Sequence, residues 1–166
     1  MNKQLKIGLV IILAILLLVC VRVAVTELPK EMERKGEVSY RAYNVKTHLY
    51  IEQMQSPQID VLDTLQQLYD YSNMFSAQNL DEKLDKYTNA FFENKSLIVI
   101  TIQEGSGSIT NSIGDVKKVN SSTLYITVNR KVPEVGTMDM AMHHLIVEVS
   151  KKDIKNITNI LVNGKE

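Results

Sequence analysis

Five consecutive residues, Glu104-Gly105-Ser106-Gly107-Ser108, carry the densest potential for recognition in this chain. Two glycines permit positive φ and close approach of another backbone. Successive amide groups there could form a nest for an anion or a peptide carbonyl. The same composition also serves a plain hairpin turn. A phosphate loop is excluded because no Gly-Lys-Ser/Thr follows. Neither Ser106 nor Ser108 sits in the G-x-S-x-G elbow that an esterase-type nucleophile needs. A second candidate is the alternation of Met138, Met140 and Met142 with Asp139 and Ala141. Methionines make an adaptable contact surface, or fill gaps under a loop. Asp139 reads as a carboxylate that organises its loop rather than as a catalyst. His143-His144, with Glu148 beyond, has the residue types of a metal site. On a strand, however, neighbouring side chains point to opposite faces, so one histidine is expected buried and the other exposed. No nucleophile–base pair and no metal set emerges. The expected class is a binding module, not an enzyme, with no metal and no cofactor.

Charge and location narrow the partners. Lys and Arg total 19, as do Asp and Glu, with a pI near 6.8. That balance argues against nucleic acid, whose binders carry a basic stripe. The single cysteine, Cys20, excludes an intramolecular disulfide framework. Lys3 and Lys6 precede an apolar run from Ile7 to Val25, interrupted by Arg22. As a helix that run is roughly 28 Å long, close to the ~30 Å hydrocarbon core of a bilayer. Residues 7–25 are therefore expected to contact membrane lipid. The stretch Val21 to Thr26 lacks a good A-x-A cleavage site, and Val19 before Cys20 does not suit a lipobox. A cleaved signal remains the alternative to a retained anchor. The positive-inside rule then places the amino terminus in the cytoplasm and the rest outside the cell membrane, as a single-pass protein.

The expected organisation is an anchor over 1–25, a charged stalk over 26–37 and an extracytoplasmic domain over 38–166. Within that domain Val38, Tyr40 and Ala42 alternate as in a strand, and His48 to Met54 suggests a second extended piece. Ile59 and Val61 lead into a helix capped by Asp63 with Gln66 as its capping-box partner. Leu62, Leu65, Leu68, Tyr69 and Ser72 fall on its inner face. A second helix is expected over Leu80 to Phe92. Leu97 to Ile102 is apolar at every position but Thr101, as in a central strand. Ile109 to Val119 reads as a strand with a bulge at Gly114-Asp115. Strands follow at Leu124 to Val128 and Leu145 to Val149, then a short helical turn capped by Asp153 and an edge strand at Ile160 to Val162. The order predicts an α+β fold. It has a mainly antiparallel β-sheet of about five to seven strands packed with two helices, preceded by one N-terminal transmembrane helix.

Two runs, FFENKSLIVITIQEGSGSI from Phe91 and LYITVNRKVPEVGTMDMAMHHLIVEVSK from Leu124, carry a resemblance. Over about residues 91–150 the chain resembles the C-terminal domain of the protease-complex subunit PrcB family. There an apolar strand enters a Gly-rich turn, and later strands end in a Pro and a P-x-x-x-T connection. The family turn is closer to Thr-Gly-Gly-Tyr, where this chain has Gly105-Ser106-Gly107-Ser108. The resemblance implies a lipoprotein that stabilises a surface protease by binding it. The expected function is thus a membrane-anchored protein-interaction module on a bacterial cell surface, stabilising a protein partner or surface protease. Its expected contact residues are Glu104, Gly105, Ser106, Gly107, Ser108, Asp139 and Met140. The alternative is an inhibitor that offers the 105–108 turn to a secreted protease.

Overall fold

A computed structural model describes residues 38–75 and 80–165. The expected anchor and stalk lie outside the described residues. No described helix is long and apolar enough to cross a membrane.

Among the described residues, seven strands form two sheets. β1 (Tyr40–Thr47), β2 (Gln58–Leu62), β3 (Lys95–Glu104) and β6 (Ala141–Ser150) make a four-stranded antiparallel sheet in the order β1-β6-β3-β2. β4 (Thr110–Lys118), β5 (Thr123–Lys131) and β7 (Asn159–Lys165) make a second sheet in the order β4-β5-β7. β4 runs antiparallel to β5, with the bulge between Ile113 and Asp115. The expected last strand is an edge strand, but it runs parallel to β5. A parallel pair needs a long crossover. Here the chain passes through β6 of the other sheet and α4 (Lys151–Ile154) before it returns as β7.

The central strands explain the layering. β3 and β6 pair over ten residues from Lys95↔Ser150 to Glu104↔Ala141, and both their faces are covered. Leu97, Val99, Met142 and Ile146 face a helical layer, while Ile98, Ile100, Leu145 and Val147 face the second sheet. All eight are fully buried. Each such side chain contributes about 1.5–3 kcal/mol of apolar transfer.

The helical layer holds α1 (Leu65–Met74), α2 (Leu80–Leu84) and α3 (Asn89–Asn94). The capping box of α1 lies one residue beyond expectation. Thr64 accepts from the Gln67 amide at 3.2 Å, and Gln67 Oε1 accepts from the Thr64 amide at 3.1 Å. Asp63 is instead drawn toward β3, where its carboxylate accepts from the Ser96 hydroxyl. Leu68, Tyr71 and Ser72 form the buried face of α1, and Tyr69, expected on it, is exposed. The single helix expected over 80–92 is broken into α2 and α3. Tyr87 turns inward at the break, bonds Tyr43 and donates to Glu148 Oε1 at 2.8 Å. Thr88 then begins α3 in an extended conformation. The extended piece expected at His48 to Met54 is a turn, with Met54 N donating to Ile51 O. The amide and carbonyl of Ile51 are satisfied by the Gln103 side chain, at 2.7 and 3.0 Å, not by a strand partner. α4 is capped by Ser150 rather than by Asp153, which sits in its first turn.

Candidate functional site

Strand pairing dictates where the two candidate loops meet. β3 ends at Glu104 and β6 begins at Ala141, and these residues are partners. The turn that leaves β3 and the loop that enters β6 must therefore lie at the same end of the sheet. β1 leaves at that end too, because Thr47 pairs with Met142. Three segments converge: residues 46–48, 104–109 and 132–140.

They are stitched together by polar groups. Gly107 N donates to Asp139 O at 2.6 Å and to Asp139 Oδ1 at 3.2 Å. Lys46 Nζ donates to Gly107 O. Thr137 N donates to Ser106 Oγ at 3.0 Å and to Ser108 Oγ at 3.1 Å. The two serine hydroxyls are themselves 2.8 Å apart. His48 Nδ1 lies 3.7 Å from Asp139 Oδ2. The Thr137 hydroxyl, with the Gly107 amide and Lys46 behind it, holds the Asp139 carboxyl below the usual carboxylate range. Asp139 thus supplies internally the anion that a backbone nest at this turn would take. A Cβ at Gly107 would sit 2.2 Å from Asp139 Oδ2, so any larger residue there must displace the Asp139 carboxylate. Gly105 has nothing within 4 Å of its added Cβ.

Beneath the turn, Glu104 is only 7% exposed. Arg130 grips it with two bonds, Nε to Oε1 at 2.9 Å and Nη2 to Oε2 at 3.0 Å. Asn111 Nδ2 adds a third at 2.9 Å. Burial raises the Glu104 carboxyl, but the bonds from Arg130 and Asn111 outweigh it and hold the group below its ordinary value. Glu104 is a bonded anchor rather than a free acid.

The methionines divide. Met142 is core, whereas Met138 is fully exposed and Met140 about half exposed. Val132 and Val135, neither singled out by sequence, join them on the surface, Val135 at 83% exposure. Of the contact residues read from sequence, Glu104 and Gly107 are buried, Ser106 and Ser108 half-buried, and Gly105, Asp139 and Met140 exposed. Sequence reasoning missed Lys46, Arg130 and Thr137, which hold the turn. Nothing local marks them, because their partners lie 26 to 61 residues away.

The histidines do occupy opposite faces of β6, but both are buried, at 1% and 0% exposure. The expectation that one would be exposed fails because β6 is covered on both sides. His143 Nδ1 lies 2.7 Å from Asn44 Nδ2. His144 bonds the Tyr71 hydroxyl through Nδ1 at 2.6 Å and the Thr47 hydroxyl through Nε2 at 3.3 Å, edge-on to Phe75. Burial pushes His144 down to about 4. Among the described residues no group of three or more His, Cys, Asp or Glu could hold a metal.

Compared with family models, curated proteins and solved structures, the chain matches none.

Proposed function

We propose that this protein is a membrane-anchored, extracytoplasmic interaction module that binds and stabilises a partner protein. One observation carries the reading. A loop braced by the Gly107–Asp139 and Thr137–Ser106 bonds holds Val132, Val135, Met138 and Met140 in solvent. Exposing apolar side chains on a preorganised loop costs solubility and gains nothing for the fold. It lowers the ordering cost of association. The anchor rests on the apolar run Ile7 to Val25. A surface protease as the partner rests on the PrcB-like runs quoted above. The inhibitor alternative is the weaker reading, because the N–H and C=O of Gly107 are already bonded within the domain.

The test is co-purification from detergent-solubilised membranes, read by mass spectrometry. The double variant Val135→Ser/Met138→Ser should lose the partner. Val119→Ser, which removes a valine 57% exposed just past the far end of β4, should keep it. Equal retention by both variants refutes the loop as the contact.

A further inference from the structure

The two sheets meet differently along their two sides. On one side β1 and β4 are tied, with Tyr40 Oη donating to Gly114 O at 3.4 Å and Asn44 Nδ2 to Asn111 O at 3.0 Å. On the other side, among the described residues, the sheets end in the edge strands β2 and β7. A cleft of about 440 Å³ opens there, toward the start of β3 and away from the turn. Its size lies within the range of about 300–1,000 Å³ for small-molecule sites.

Val61, Ile98, Ile154, Ile157 and Ile160 line the cleft. Four of these five branched aliphatic side chains remain partly exposed, Ile98 being the buried floor. The sandwich is therefore not filled at this seam. The polar lining is Asp63, Ser96, Lys151 and Lys155, of which Ser96 is fully buried. Asp63 is already engaged, by the Ser96 hydroxyl on its carboxylate and by Lys151 Nζ on its carbonyl at 3.0 Å. Lys155 also borders the cleft and is exposed. Of the charged residues that border the cleft, Lys151 and Lys155 stand against Asp63, so the mouth carries a net positive charge.

We propose that this cleft binds a single-chain aliphatic carboxylate, with the chain between β2 and β7 and the carboxylate at Lys151 and Lys155. An apolar trough with a cationic rim matches an anionic amphiphile at both ends. A cleft of this volume admits one chain rather than the two of a bilayer phospholipid. The free acid is therefore the ligand, and the site is independent of the loop at the other end of the sheet.

The experiment uses the full chain in nanodiscs of zwitterionic phosphatidylcholine, labelled at isoleucine δ1-methyl groups and titrated with decanoate. Ile154, Ile157 and Ile160 should shift saturably while Ile126 and Ile146, deep in the two cores, stay fixed. Val61→Trp should abolish the shifts by filling the cleft. Lys155→Glu should weaken decanoate about fivefold, the scale of one surface ion pair, and leave neutral decanol unchanged. Non-saturating shifts, equal movement of all five methyls, or decanoate affinity indifferent to Lys155→Glu each overturn the proposal. Should Val61→Trp disturb the Ile126 and Ile146 reference signals, the Lys155→Glu comparison decides alone.

Discussion

The 105–108 turn and the 132–140 loop share one end of the sheet and use their chemistry in opposite directions. The turn spends its polar groups inward. Gly107 is bonded through both N–H and C=O, Ser106 and Ser108 accept from Thr137, and Glu104 below is held by Arg130 and Asn111. The loop turns its apolar groups outward, at Val132, Val135, Met138 and Met140. Glycine-rich composition drew attention to the turn, yet a recognition surface is made of what the fold leaves unsatisfied. By that criterion the turn is a clamp and the loop is what it clamps.

The largest effect should come from the clamp's base. Arg130→Met leaves Glu104 buried without its cation. Breaking such a pair costs about 3–5 kcal/mol, and the lower end is expected because the Arg130 side chain is 31% exposed. Urea unfolding measures it. Replacing both partners, as Glu104→Leu/Arg130→Met, should recover part of the loss, since no charge is then stranded. A wild-type midpoint for Arg130→Met alone would mean the turn does not depend on this pair.

Acid distinguishes the turn from the other face of β6. His144 is pushed down by burial from 6.5 to about 4. The unfolded chain takes up its proton first as pH falls, so stability is complete above about 6.5 and declines toward pH 4, by about 3 kcal/mol. His143 is lowered in the same direction, again mainly by burial. The lowered carboxyls of Glu104 and Asp139 act in a more acidic window, below their ordinary values of 4.5 and 3.8. His144→Gln should therefore flatten the decline between pH 6.5 and 4. A full decline in that variant would shift the effect to His143, on the turn side of β6.

These two regions also show what the sequence makes legible. The central strand at Leu97 to Ile102 and the bulge at Gly114 are local patterns, and both stand where the residues imply. The mixed two-sheet arrangement is not local. The parallel partnership of β7 with β5 depends on a crossover that no periodicity encodes. From Leu68 the inner face of α1 continues by three and four residues to Tyr71 and Ser72, both buried, while Tyr69 lies off that face and is exposed. The break before Thr88 exists because Tyr87 finds Tyr43 and Glu148, 44 and 61 residues away. The candidate turn was legible as a turn. Its state of satisfaction was not, because Lys46, Thr137 and Asp139 reach it only through the pairing of β1, β3 and β6.

A smaller effect compares the two glycines of the turn. In Gly107→Ala the added carbon displaces the Asp139 carboxylate and its bond to the Gly107 amide, a loss of about 1–2 kcal/mol. Gly105→Ala meets nothing within 4 Å and should stay within about 0.5 kcal/mol of wild type. Equal midpoints for the two variants would remove the distinction between a turn built around a bond and a turn built only for reversal.

The smallest effect on stability belongs to the loop, and it carries the functional weight. Met138 is fully exposed, so Met138→Ser should melt as wild type, within about 0.5 kcal/mol. Met138→Leu should do the same. The two differ only in what they offer a partner. Leucine keeps the apolar volume of methionine, and serine removes it from the most exposed point of the braced loop. Truncating an anchor residue at an interface costs more than about 1 kcal/mol of binding, or roughly fivefold in affinity at the least. Co-purification should therefore survive Met138→Leu and fall sharply in Met138→Ser while the melting curves superimpose. If both variants retain the partner equally, the outward apolar groups are not the contact, and the contrast between clamp and loop describes only how this end of the sheet is held together.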